Sequence, residues 1–487
     1  MGGLIGVRLI QICRRWHLTN EGAWTLFAPL RFLTNIIDID SFKLHYVRVD
    51  WEEAEMTKIS TGTAIKFNSG IKLAIAGLMV LKFSGDASAN PTGDLVVLQW
   101  LTGSELDSFK RIEAAFSKSY PEVTVREVAV TWSGDPRGSL RASLMGGESA
   151  DVMVNTWPTF RRELADAGLL RPLNEVYTTK RWSEKIDPSW RDLGSIEGQM
   201  YGLTYTYGDR SGIWYRKQTL ADSGIEAPPK DWNALIASFT KLREKNVTPM
   251  AVPGKFWAHA EIFETLLLCM QGTAFSKALA NREVAWTDNR VKDILRKWRE
   301  LIDAGCCANP AVMLSTDWDN AADQVLQQRS AAYVQLGMWI NNRAFETYKL
   351  DGKADFGLFQ FPAMGMGHDN ASSLDSKEIV TLASGRNPEA ADAFLDFMVG
   401  KEAATILAES GLSSPSKLVE PSIYPPAIQA SNAFLAQSDV TFVLGDTLPG
   451  ELTDEYRVQL QRFLKDTSDA NIDAVTQALE TKAASLN

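Results

Sequence analysis

Cysteine and histidine are scarce in this 487-residue chain, four of each, and they form no metal-binding motif. There is no Cys-x-x-Cys and no His-Glu-x-x-His, so the sequence gives a zinc site no support. Only His259 and His368 follow residue 89. Glycine-rich phosphate loops and nucleophile elbows are missing too, and no cofactor is expected. Cations are in deficit: 50 Lys and Arg stand against 60 Asp and Glu, a formal net charge of −10. That balance argues against a nucleic-acid partner, which needs clustered positive charge. No apolar run approaches the roughly 20 residues of a bilayer-spanning helix. Internal repeats and low-complexity linkers are absent as well.

What is present first is an export signal in an unusual place. Met56 is followed by Lys58, Lys66 and Lys72, then the apolar run Leu73–Leu81, then Ala87-Ser88-Ala89. Basic, apolar and small-residue regions in that order are the parts of a secretory signal peptide, which assigns residues 56–89 to it. Residues 1–55 show neither that order nor a clear helical or strand period. They read as a mistaken upstream extension before a start at Met56, or else as a poorly ordered leader. The mature chain then begins at Asn90. It carries −12, the first 89 residues holding 10 Lys/Arg and 8 Asp/Glu. Of its three cysteines, Cys269 pairs with Cys306 or Cys307, or all remain buried thiols.

The mature chain alternates strands and helices. Asp94–Trp100 is a continuous apolar run, the pattern of a strand buried on both faces. Ser104–Tyr120 has helical spacing through Leu106, Phe109, Ile112 and Phe116. Val123–Val130, a helix near Gly138–Met145 and the strand Ala150–Asn155 follow, which predicts a parallel α/β sheet. In such sheets ligands sit beyond the carboxyl ends of the strands, where Trp100 and Asn155–Trp157 fall. A second α/β region begins after Tyr201–Gly208. It has strands at Gly212–Tyr215, Tyr333–Leu336 and Phe356–Phe361, and helices at Asp231–Lys245, His259–Met270 and Asn289–Asp303. Ile379–Ala383 reads as another buried strand, and Pro388–Val399, Glu402–Glu409, Leu452–Leu464 and Ile472–Ser485 as helices.

Several short motifs fall in an order that resembles the extracellular solute-binding proteins of ATP-driven sugar importers. They are Phe116–Val125, Met145-Gly-Gly-Glu-Ser-Ala-Asp-Val152, Leu164-Ala-Asp-Ala-Gly-Leu-Leu170, and Gly198–Leu203 with Ile213–Lys217. Pro228-Pro-Lys-Asp-Trp232, Trp318–Ala322 through Gly337-Met-Trp339, and Asn387-Pro-Glu-Ala-Ala391 complete the series. Gln328-Arg-Ser330, Met338 and Thr204 depart from the family pattern. The resemblance implies a two-lobe periplasmic-binding-protein fold (type II), with the ligand between lobes joined by hinge crossings. It places residues 90–207 in the N-terminal lobe, 208–374 in the C-terminal lobe and 375–430 back in the first. Residues 431–487 are then helices of the C-terminal lobe. It implies a monomeric, periplasmic, non-enzymatic receptor for a mono- or short oligosaccharide, glucose-like in preference, with membrane permease subunits as partners. The rival is a secreted glycosidase-like enzyme, which needs two carboxylates at a set separation.

Sugars offer C–H faces to aromatic rings and hydroxyls to charged or amide side chains. On that chemistry the candidate contacts are Trp100, Trp132, Asn155 and Trp157 in the first lobe. Asp209 follows the first crossing, Trp257, His259 and Trp339 belong to the second lobe, and Asp375 and Lys377 lie in the return crossing. Trp232, Trp286 and Trp298 read instead as core. For each charged residue a solvated ion pair is the plain alternative.

Overall fold

The computed structural model describes residues 33–37, 44–48, 90–131, 135–147 and 149–486. The proposed signal peptide, 56–89, lies outside the described residues. The chain divides into two compact units, Met1–Ala87 and Ser88–Asn487. In the first, Leu33–Ile37 pairs antiparallel with Leu44–Arg48, two strands within the stretch where the sequence showed no clear strand period. Both segments are rich in β-branched and aromatic residues. The sequence between them has no Gly or Pro to announce a turn.

The second unit contains two main sheets. In the first, Gly93–Gln99 lies parallel to both Val123–Ala129 and Val152–Asn155, as the alternation predicted. The helix Gly103–Ser119 buries Phe109, Ile112 and Phe116 against this sheet. Phe116 meets Phe394 edge-to-face at 5.1 Å, so the later helix Pro388–Met398 closes the same core.

The second sheet runs Thr248–Met250, Ala331–Gln335, Ile213–Arg216, Phe356–Phe359 in order. Asn289–Asp303 packs its apolar stripe of Val291, Ile294, Leu295, Trp298 and Leu301 into the core there. Asp231 caps the helix Trp232–Glu244 by accepting from the Ala234 N–H at 2.8 Å. The helix expected to end at Met270 instead spans Ala260–Ala280 with a kink at Gly272, φ +77°. A Cβ there would stand 2.6 Å from His368 Nδ1, so only glycine fits. The closing helices Gly450–Lys465 and Asp469–Ser485 supply Leu452, Tyr456, Phe463 and Leu479 to this core. Cys306 and Cys307 are bonded to each other, and Cys269 is buried and free. That corrects the long-range pairing: Cys269 lies inside a helix packed in the core, and the adjacent pair is closed on itself.

Two antiparallel strands, Gly202–Asp209 and Ala371–Thr381, link the two regions. The first half of Ala371–Thr381 pairs with Asp439–Phe442 and the last with Val152–Asn155. All eleven of its residues are buried, although six are Ser, Asp, Lys or Glu. The apolar tail Ile379–Ala383 is the part that announced a strand. The polar head is strand because neighbouring groups satisfy it. Glu378 accepts from Asn155 Nδ2 at 2.7 Å and is paired with the buried Arg161. A Cβ on Gly202 would fall 2.1 Å from Glu378 Oε2, so this carboxylate uses the space that glycine leaves. Glu378→Ala would strand the Arg161 charge, and denaturant unfolding should show a loss of about 3–5 kcal/mol. A loss under about 1 kcal/mol would mean that the pair is dispensable.

Candidate functional site

Between the two sheets lies a cleft of about 760 Å³, its open mouth included. Trp100, just past the first strand, and Trp157, past Val152–Asn155, share one part of its wall. Their ring centroids are 5.1 Å apart, and Trp100 Nε1 donates to the Val154 carbonyl at 3.1 Å. Trp257, Trp318 and Trp339 form another part. Trp257 and Trp339 are 5.7 Å apart, and Trp318 meets Trp339 edge-on at 6.2 Å. Gly337 makes the last arrangement possible, since a Cβ there would lie 2.0 Å from the Trp339 ring. Met338, the departure from the family pattern, packs over Gly208, whose absent Cβ would be 2.2 Å from its Cγ.

Charge is concentrated at the base of the cleft. The Arg210 guanidinium sits 5.0 Å from the centres of both the Trp257 and Trp339 rings, a cation–π contact with two neighbouring rings. It donates to Glu261 Oε1 at 2.7 and 2.9 Å and to Asp446 Oδ2 at 3.4 Å, with Asp375 Oδ1 at 3.8 Å. Lys377 donates to Glu105 Oε1 at 2.7 Å and lies 3.9 Å from Asp375 Oδ2. Burial alone would lower the Lys377 pKa, but Asp375 and Glu105 outweigh it and hold it above the ordinary lysine value. Asp135 caps the helix Pro136–Met145 through the Arg137 N–H at 2.9 Å and pairs with Arg457 at 3.2 Å. Behind this wall, burial pushes Glu261 up to about 8, with Arg210 pulling the other way. It pushes Glu264 up to about 7.

Of the residues singled out in the sequence, Trp100, Trp157, Trp257, Trp339, Asp375 and Lys377 line the cleft. Three do not. Asn155 is buried and turned to Glu378 and the Trp157 carbonyl. Asp209 accepts from Ser372 Oγ at 2.6 Å and from the Ser211 N–H at 2.8 Å, inside the crossing. His259 is fully buried with Nε2 against the Arg457 carbonyl at 3.0 Å, and burial lowers its pKa to about 4. These three support the wall from behind and are withdrawn as contacts. Trp132 lies outside the described residues. The sequence reading left out Thr102, Glu105, Asp446 and Arg457, all on the lining.

A family model described as bacterial extracellular solute-binding protein matches residues 102–405. The chain belongs to the bacterial extracellular solute-binding proteins. Such proteins are receptors rather than enzymes. An uncharacterized ABC transporter extracellular-binding protein of Pyrococcus horikoshii is 26% identical over 273 residues, 55% of this chain and 60% of that relative's length. The alpha-glucosides-binding periplasmic protein AglE of Rhizobium meliloti is 24% identical over 362 residues, 70% of this chain and 78% of AglE. Among solved structures, the bacterial solute receptor AcbH, described as preferring β-D-galactopyranose, superposes with a TM-score of 0.71 at 18% identity. That superposition covers 81% of this chain and 99% of AcbH, and establishes the two-lobe fold.

The buried carboxyls give this solute-binding protein a pH signature. Glu261 and Glu264 are raised above their ordinary value of 4.5, so the folded state binds protons that the unfolded state releases. Their contribution is full below about pH 4.5 and is lost as pH rises through 7 and 8. His259 acts in the opposite sense, but only between about 4 and 6.5. The Tm should therefore fall between pH 6.5 and 8.5. A scan that is flat or rising there would show that both carboxyls are already ionised.

Proposed function

We propose that the chain is the substrate-binding component of an ATP-driven carbohydrate importer. It captures a mono- or short oligosaccharide, with a glucose-like unit favoured, and presents it to permease subunits in the inner membrane. The observation that carries this reading is the composition of the cleft wall: five tryptophans together with Arg210, Asp375, Lys377, Glu105 and Asp446. Flat rings cover the C–H faces of a sugar, and charged groups bond its hydroxyls more strongly than neutral ones do. The names of AglE and AcbH point to the same ligand class.

In this reading Trp100 and Trp157 stack from one lobe and Trp257 and Trp339 from the other, while Asp375 and Lys377 hold hydroxyls. The lobes comprise 90–207 with 375–430, and 208–374 with 431–487. Closure is a hinge equilibrium biased by contacts to both lobes. The receptor works in the periplasm as a monomer, exported by the signal at 56–89.

A thermal-shift screen of neutral mono- and disaccharides on residues 90–487 tests the proposal. At least one sugar should raise Tm and bind at micromolar strength or better, about −8 kcal/mol, without turnover. Release of a product from any sugar would overturn the receptor reading. Trp257→Ala should weaken the best hit about tenfold or more, roughly 1.4 kcal/mol, with little loss of Tm. Unchanged affinity would remove the second-lobe tryptophans from the site.

A further inference from the structure

We infer that the cleft selects its ligand by charge. It takes a carbohydrate that is uncharged or carries an amine, and rejects one carrying a phosphate or carboxylate, with Asp375 as the discriminating group. This rests on the carbohydrate reading above.

Every cationic side chain of the lining is already matched by a carboxylate of the protein. Arg210 lies against Asp446, Lys377 against Glu105, and Arg457 against Asp135. Helix N-termini attract anions, and two of those at the cleft carry anions of their own. Asp135 caps Pro136–Met145, and Glu105 sits in the first turn of Gly103–Ser119. Pro158–Asp166 and Trp339–Glu346, which open at the lining residues Trp157 and Trp339, have no acid in the first turn. Four carboxylates and three cations make up the ionic lining. An incoming phosphate or uronate would bring acceptors only. It would have to displace a protein carboxylate from its cation or lie beside one uncompensated, and both are costly where water is scarce.

Asp375 is the exception that faces the ligand. The residue is 9% exposed and lines the cleft. Its oxygens approach Arg210 and Lys377 only to 3.8 and 3.9 Å, beyond hydrogen-bond reach. A carboxylate this deep without a hydrogen bond calls for a donor, and a sugar hydroxyl or ammonium supplies one. A phosphate or uronate does not.

The test is calorimetry on residues 90–487 with paired probes. D-glucose, D-galactose, maltose and trehalose are set against glucose 6-phosphate, galactose 6-phosphate, trehalose 6-phosphate, glucuronate and galacturonate, with glucosamine as the amine-bearing member. The best neutral sugar should bind at least a hundredfold more tightly than any anionic probe, with glucosamine at least as tight as glucose. Asp375→Asn should weaken the best neutral sugar at least tenfold and narrow the neutral-to-anionic ratio by a similar factor. An anionic probe within tenfold of the best neutral sugar would overturn charge selection while leaving the carbohydrate reading intact. An unchanged ratio in Asp375→Asn would remove Asp375 as the discriminator. No binding by any probe would overturn both readings together.

Discussion

A guanidinium taken out of water must be surrounded by partners, and that requirement at Arg210 organises the middle of this protein. Its partners come from distant parts of the chain: Glu261 from the helix Ala260–Ala280, Asp446 from near the C-terminus, Asp375 from the crossing strand. Trp257 and Trp339 stand side by side against it. Removing a partner from a buried ion costs more than the pair gains relative to an apolar core. The cluster therefore acts chiefly as a constraint, fixing how the segments meet. Fixing them also fixes the tryptophan walls that a ligand would touch.

The regular elements were legible because their local patterns agree with their final burial. Gly93–Gln99 is apolar on both faces and becomes an interior strand. Asn289–Asp303 has a clean apolar stripe and lies on the core. Legibility failed where burial is polar. The head of Ala371–Thr381 has no apolar pattern to mark a strand, yet it is strand because the facing crossing strand and Asp439–Phe442 complete its ladder. No local rule foresees partners that distant.

The site divides in the same way. Tryptophans at strand ends were readable because position and chemistry coincide there. Asn155, Asp209 and His259 satisfied the same criteria, but each finds a partner in the protein and turns away from the cleft. Glu105 looked like an ordinary acidic helix opening, and Asp446 and Arg457 lie in the C-terminal segment, which offered no site motif. Their helix spacing and acidic neighbours were visible; that they reach the cleft depends on tertiary packing. The charge balance of the lining, four carboxylates against three cations, thus became readable only once the fold was in hand.

Asp375 and Lys377 reach the cleft because they stand two apart on one strand, and side chains on a strand alternate between faces. Ser376 and Glu378 are the residues that a shift of one place would bring forward. The ladder to Gly202–Asp209 already carries one irregularity, between Lys377 and Glu378. In the currency of inheritance, this makes length and identity unequal. The ligand preference can drift by exchanging one side chain for another, whereas gain or loss of a single codon ahead of Asp375 exchanges the whole face at once. A substitution here alters one contact, while an insertion alters the register of every residue that follows it on the strand.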